Sequence, residues 1–256
     1  MKPSDKTRDV LLIGASGLLG TNLNLTGQVF KPSHQELDIS SFISVDSYIK
    51  HHIEVGHLFH TIVLAAAYTN VAAANYEKNL VYNTNIKGPL NLITSIQSLY
   101  KIYGIKNEYL PRIVYISSDY VFSGDRGPYA TYDPIDPVKN NYYALSKALG
   151  ETAMRAYENH CIVRTSFCRN DIWLYEKAFH DQYTSRDTID KIAPMISFLI
   201  NDDVFRSIWH IGTERKSVWD LAKRINPDVQ PMSRLEITST NIPYDTSLVL
   251  NNINIK

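Results

Sequence analysis

Residues 9–13, Asp-Val-Leu-Leu-Ile, form a short apolar run that stops at Gly14, and further glycines follow at positions 17 and 20. A short apolar run bounded by a turn residue reads as a buried strand. Helical sequence then continues through about Leu25, so the segment reads strand, glycine turn, helix. In that context glycines let the backbone approach a pyrophosphate, and the helix start offers it unpaired N–H groups. The spacing is Gly-x-x-Gly-x-x-Gly, and by spacing alone a tight turn with glycines placed for packing is an equal reading. The strand before, the helix after and the position early in the chain favour the phosphate site.

Strand and helix patterns go on alternating as far as Ser166. Strands are expected at 27–31, 61–64, 113–116 and 161–166. Helices are expected at about 40–54, with Asp38 as a possible cap, at 79–103 with a break near Gly88-Pro89, and at 143–158. Such alternation gives a parallel sheet covered on both faces. The fold class is therefore α/β, a Rossmann-type doubly wound parallel sheet. Beyond Ser166 the pattern weakens. Residues 171–180 are aromatic-rich and irregular, 188–201 read as an amphipathic helix, 209–212 as a short strand or turn, and 217–225 as a helix capped by Ser217. The expected division is a flexible tail at 1–8, a nucleotide-binding domain at 9–166, and a small C-terminal substrate lobe at 167–256, interleaved with the first. In such folds the end of the second strand meets the adenosine ribose, where an acid suits a 2′-hydroxyl and a base a 2′-phosphate. Here that end reads Phe30-Lys31-Pro32-Ser33-His34, without an acid. This favours NADP over NAD, although Lys31 reads equally well as a solvated surface lysine.

Chemistry concentrates in residues 112–147. The strand at 113–116 runs into Ser117, Ser118 and Asp119, a polar Pro-containing loop follows, and a helix then begins with Tyr143 and Lys147. Residues four apart share a helix face. A tyrosine is a poor acid–base group at neutral pH unless a neighbouring ammonium stabilises its phenolate. Lys147 is placed to do that for Tyr143 and to hold a ribose, while Ser118 can fix a carbonyl oxygen by hydrogen bonding. Among 17 tyrosines about one Tyr-x-x-x-Lys pair arises by chance, and this is the one in the chain. Its order after a strand ending in Ser-Ser-Asp, downstream of a glycine turn, is what chance does not supply.

Other chemistries find less support. The net charge is zero, from 26 basic and 26 acidic residues, which is no signature of a nucleic-acid or membrane-surface partner. No apolar run approaches the roughly 20 residues of a membrane helix, and the polar start, MKPSDKTRDV, is unlike a signal peptide. Two cysteines, Cys161 and Cys168, make no disulfide framework and suit a reducing cytoplasm. The eight histidines show no metal-ligand spacing, so no metal is expected.

These residues resemble the extended short-chain dehydrogenase/reductase superfamily, and within it dTDP-4-dehydrorhamnose reductase and its sugar-nucleotide-binding relatives. The likeness is carried by GASGLLG from Gly14, LDI from Leu37, AAAYTNV from Ala65, NIKGPLNL from Asn85, SSDYVFSG from Ser117, YYALSKALGE from Tyr142 and RTSF from Arg164. It continues at Asp181-Gln182, at HIGTERKSVWDLA from His210 and at DTSL from Asp245, so it spans nearly the whole chain. The resemblance implies an NADP- or NAD-dependent reductase of a nucleotide-linked 4-keto-6-deoxy sugar. Tyr143 would be the proton donor, Lys147 its partner and Ser118 the group that orients the carbonyl. Gly14, Gly17 and Gly20 would cradle the pyrophosphate, with Ser16, Leu18 and Leu19 beside them. Asp38 and Ile39 would flank the adenine. Ala65, Ala66, Ala67, Ser117 and Arg164 would complete the cofactor site, and Asn85 would support a proton path through a helix carbonyl. Tyr68, Asp119, Tyr120, Phe122 and Phe167 would face the nucleotide-sugar. A homodimer is compatible with this family, as are an epimerase or dehydratase relative and a non-catalytic NAD(P)-binding regulatory subunit.

The departures fall on the substrate side. Leu64 stands where these relatives have Asn, Ala72 and Asn75 where they have acids, and Phe167 where they have Trp. The segment between Phe167 and Asp181 is too short for the helix and strand usual there, so a reduced substrate lobe is expected.

Overall fold

Successive side chains of the first strand go to opposite faces: Leu11 and Ile13 enter one core, Val10 and Leu12 the other. The same period-two split repeats along every central strand. The computed structural model describes residues 8–204, 207–237 and 241–251. Its first five strands are β1 (Asp9–Ile13), β2 (Gln28–Phe30), β3 (Thr61–Leu64), β4 (Arg112–Ser118) and β5 (His160–Thr165). Short strands β6 (Phe167–Cys168), β7 (Lys177–Phe179), β8 (Tyr183–Thr184) and β9 (Asp187–Thr188) come next, before β10 (Ile208–Ile211), β11 (Lys216–Ser217) and β12 (Gln230–Met232). The main sheet is parallel throughout, in the order β10-β5-β4-β3-β1-β2.

Two helix layers cover this sheet. The layer on the Val10 and Leu12 face contains α1 (Leu18–Asn22), and on the opposite face lie α2 (Phe42–Glu54), α4 (Gly88–Ile102) and α5 (Tyr142–Met154), with the short α3 (Lys78–Tyr82) leading toward α4. Two more helices, α6 (Ile189–Asn201) and α7 (Val218–Ile225), come from the C-terminal region. Because β2 flanks β1 on one side and β3 on the other, the strand order reverses between them. In open α/β sheets a crevice forms at the carboxyl ends of the strands at that point.

Several expectations change here. The segment 79–103 is not broken at Gly88-Pro89: α3 passes through a π-turn at Asn83–Lys87 directly into α4. Pro89 closely follows the π-turn, where the regular hydrogen-bond ladder is already interrupted. The cap of α2 is Ser41, whose hydroxyl accepts from the Ser44 amide at 3.4 Å. Asp38 stands too far upstream to cap, and instead accepts from the amide and hydroxyl of Ser40 at 2.9 and 2.7 Å. The segment 171–180 is not wholly irregular, since β7 pairs in parallel with β12. Together with α7 they form a small core of Ala178, Ala222 and Val229.

The expected boundary at residue 166 cuts through the sheet. The segment 209–212 supplies β10, the sixth strand of the main sheet, with Trp209 opposite Val163. Helix α6 buries Ile192, Ile196 and Ile200 in the same core as Val10, Val63 and Val114. Arg8 also belongs to the fold rather than to a loose tail: its guanidinium donates to the carbonyls of Ile200 and Asn201 and pairs with Asp203 at 2.9 Å. The remainder of that segment lies outside the described residues. No described helix is long and apolar enough to cross a membrane, and Cys161 and Cys168 are both free and buried.

Candidate active site

The carboxyl ends of β1, β3, β4 and β5 open into one cleft of about 670 Å³. Three segments far apart in sequence meet there: the turn after β1, the residues after β3, and the end of β4 with the start of α5. Of the residues singled out above, Gly14, Ser16, Gly17, Leu18, Leu19, Gly20, Asp38, Ile39, Ala65, Ala66 and Ala67 line it. Ser117, Ser118, Asp119, Tyr120, Tyr143, Lys147 and Phe167 line it as well.

The three glycines are glycine for different reasons. Gly14 has φ +91, and a Cβ there would collide with the Ala66 backbone. That closeness follows from hydrogen bonds: the amides of Ala65 and Ala66 both donate to the Ile13 carbonyl, at 3.0 and 2.9 Å. A Cβ on Gly20 would collide with the Gly14 carbonyl. Gly17 differs. Its Cβ would meet only the Gly14 oxygen, at an ordinary 3.4 Å, so no protein neighbour forbids a side chain. What a side chain would occupy is cleft space at the start of α1, where no side chain caps the free amides. That arrangement fits a phosphate-bearing cofactor. At the neighbouring end, Asn91 of α4 donates to the Ile39 carbonyl at 2.9 Å and holds the 37–40 loop against the cleft. Lys31 is exposed and does not line the cleft; Pro32 and His34 do, with His34 3.9 Å from Asp38.

Residues at the other end are positioned by caps. Asn141 accepts from the Ala144 amide at 2.9 Å and starts α5. Asn75 clamps that start from outside, accepting from the Tyr142 amide at 2.8 Å and donating to the Asn140 carbonyl at 3.0 Å. Tyr143 and Lys147 thereby face Ser118, the last residue of β4. The Lys147 amine donates to the Ile116 carbonyl at 2.6 Å, 4.4 Å from the Tyr115 ring centroid. Burial pulls its pKa down to about 7, against the opposing charge of Glu151. The Tyr143 phenol is pushed up to about 12, by burial first and by Asp119 and Tyr120; a hydrogen bond with Ser118 and the charge of Arg186 oppose this. The expected lowering of the phenol by Lys147 is therefore not what this structure holds, because desolvation prevails and the amine is engaged by a main-chain carbonyl.

Asp119 is buried, with burial raising its carboxyl above the usual range. Its Oδ1 accepts from Ser118 at 3.2 Å, and its Oδ2 from Thr246 at 2.8 Å and Thr184 at 3.5 Å. One cleft residue thus ties the C-terminal segments to the sheet. The ring of Tyr120 packs edge-on to Tyr143 at 6.4 Å.

Four of the expected residues do not line the cleft: Asn85, Phe122 and Arg164 are buried away from it, and Tyr68 lies at the surface. Asn85 is buried, accepting from the Tyr68 amide at 2.8 Å and donating to the Tyr68 carbonyl and the Ser146 hydroxyl. Tyr68 turns its hydroxyl to Glu77 at 2.7 Å. Phe122 is fully buried, stacked on Tyr129 at 4.4 Å under the Arg164 guanidinium. Arg164 pairs with Glu151 at 2.9 Å, both side chains 0% exposed. Glu151 also accepts from Ser117 at 2.5 Å, so this network backs the cleft floor under Lys147. Sequence reasoning missed Arg186, Thr84, Ser166 and His34, which line the cleft. His34 was within reach as a basic residue at the end of β2. Arg186 carries no local signal, because its position depends on the return of the chain through β8 and β9. Among the described residues no group of three His, Cys, Asp or Glu could hold a metal ion.

Comparison with known proteins gives the family and the fold. Residues 8–243 match the family described as RmlD substrate binding domain. A dTDP-4-dehydrorhamnose reductase of Mycobacterium tuberculosis is 28% identical over 183 residues, covering 66% of this chain and 51% of that protein. The methionine adenosyltransferase 2 subunit beta of Bos taurus is 28% identical over 156 residues, 57% of this chain and 42% of that one. The chain thus spans about half the length of the curated relatives it matches. A crystal structure of dTDP-4-dehydrorhamnose reductase from Bacillus anthracis in complex with NADP superposes with a TM-score of 0.80 at 25% identity. It covers 96% of this chain and 92% of that one.

Proposed function

This chain belongs to the RmlD substrate binding domain family, and from that premise we propose that it is an NAD(P)H-dependent reductase of a nucleotide-linked 4-keto-6-deoxy sugar. The observation that carries the reading is the single cleft in which the glycine turn at one end faces Ser118, Tyr143 and Lys147 at the other. The nicotinamide cofactor, when bound, supplies the hydride. Gly14, Gly17 and Gly20 would hold its pyrophosphate, and Ala65, Ala66 and Ala67 would leave room for it. NADP is the preferred form, with His34 rather than Lys31 as the cation at the ribose end; NAD is the alternative. Ser118 donates a hydrogen bond to the sugar carbonyl and fixes its place beside Tyr143. Tyr143 gives the proton as negative charge develops on that oxygen. Lys147, with a pKa brought to about 7 by burial, can return the proton at neutral pH.

The test is NAD(P)H oxidation with a dTDP-4-keto-6-deoxy sugar. Tyr143→Phe is expected to lower turnover by about 10²–10⁴-fold while cofactor binding persists. Undiminished turnover in that variant sinks the mechanism. The second reading is a cofactor-binding regulatory subunit. It draws on the likeness to a methionine adenosyltransferase subunit and on the Lys147 amine facing a main-chain carbonyl rather than the phenol. NAD(P)H binding without turnover of any keto-sugar by the wild-type chain decides for it.

A further inference from the structure

Arg186 lines the cleft with Asp119, Tyr120, Tyr143 and Phe167. Its charge acts on Asp119, Tyr120 and Tyr143. Its guanidinium Nε is buried without a hydrogen-bond partner. The carboxylates closest to it in chain and space are committed elsewhere. Asp187 meets Lys191 at 3.3 Å, Lys216 at 3.4 Å and Arg224 at 3.8 Å, and accepts from Thr213 at 2.5 Å. Both oxygens of Asp119 take hydroxyls, from Ser118, Thr184 and Thr246. Among the described residues Arg186 makes no ion pair, while its backbone is fixed from both sides. The Arg186 amide donates to Thr184 at 2.9 Å, and its carbonyl accepts from Lys216 at 3.0 Å.

A partly buried guanidinium held on a braced backbone, which makes no ion pair among the described residues and feels Asp119 only through space, is suited to an anion brought by a ligand. The planar fork matches the paired oxygens of a phosphoryl or carboxylate group. We propose that Arg186 binds an anionic group of the substrate whose carbonyl Tyr143 serves. That group is either a phosphoryl on the sugar or a carboxylate borne by it. The inference rests on the reading of this cleft as a nucleotide-sugar site and adds to it the residue that selects a charged substrate.

The experiment measures binding, so it does not depend on turnover. The full chain and its Arg186→Gln and Arg186→Lys variants are titrated calorimetrically with dTDP for the phosphoryl arm and glucuronate for the carboxylate arm. NADPH is titrated in parallel. Wild type is expected to bind one of the two probes. Arg186→Gln should weaken that probe by about tenfold to a hundredfold, Arg186→Lys by less, and NADPH affinity should stay within twofold. The arm that weakens names the anion. The proposal is overturned if wild type binds neither probe, or if Arg186→Gln binds both as tightly as wild type. Should Arg186→Gln fail to fold, Arg186→Lys decides alone, since a lysine that binds as tightly as arginine removes the role of the fork. Failure of wild type to bind NADPH would instead sink the reductase reading and leave the Arg186 result standing.

Discussion

Replacing Glu151 with Gln tests how the floor of the cleft is held. The Glu151 and Arg164 side chains are both 0% exposed. Arg164 reaches Glu151 through Nε at 3.0 and 3.2 Å and through Nη2 at 2.9 Å, and Ser117 donates at 2.5 Å. Glutamine keeps the volume but leaves the buried guanidinium without its counter-ion, a change worth about 3–5 kcal/mol. For a chain of this size each kcal/mol moves Tm by about 2–4 °C, so a fall of roughly 6–20 °C is expected. Lys147 adds a pH signature. Its folded pKa of about 7 lies below the ordinary 10.5. The unfolded chain therefore holds more protons between those values, and stability rises with pH across that window. Glu151 is the charge that opposes the drop, so its loss lowers the folded value further. The loss of stability in Glu151→Gln should then be larger at pH 6 than at pH 9, where the folded-state amine is neutral in both proteins. Urea unfolding at the two pH values measures both quantities. A loss below about 1 kcal/mol at pH 7 would refute the buried-pair argument, and a loss equal at pH 6 and 9 would refute the coupling to Lys147. Substituting both partners, Glu151→Leu with Arg164→Met, should recover most of the stability.

The glycine turn separates folding from binding. Gly14→Ala is expected to destabilise by more than about 2 kcal/mol through backbone strain and collision, whereas Gly17→Ala should leave Tm nearly unchanged and weaken NADPH binding. Thermal unfolding with and without NADPH checks both, and an unaltered NADPH affinity in Gly17→Ala would count against the cradle. His210, fully buried between the Val249 carbonyl at 3.2 Å and Arg164 at 3.3 Å, has its pKa lowered to about 4 by burial and then by Arg164. Its unfolded value is the higher one, so stability is whole above about pH 6.5 and is lost as pH falls toward 4, by about 2 kcal/mol at pH 5. His210→Gln should flatten that part of the urea-measured profile; a profile as steep as wild type would overturn the assignment.

Much of this was written locally. Apolar runs of four or five residues bounded by glycine specify buried strands, because a strand covered on both faces needs nothing but apolar side chains. Strand, glycine turn and helix are neighbours in sequence, so the phosphate end of the cleft could be read from 14–20. Tyr143 and Lys147 share a face because a helix repeats every 3.6 residues. Folding decided what depends on distant segments. Segment 209–212 is too short to declare itself a strand, and it becomes the sixth strand only because β5 offers an unpaired edge. Arg164 and Phe122 belong to conspicuous motifs, yet Glu151 and Tyr129 draw them away from the cleft. Arg186 reaches the site because β8, β9 and residues 245–248 return to it, as the Asp119 bonds to Thr184 and Thr246 record. The protonation of Tyr143 and Lys147 is tertiary for the same reason. The four-residue spacing sets which face they share, while desolvation by the surrounding fold, with Glu151, Asp119 and Arg186 placed around them, sets where their protons reside.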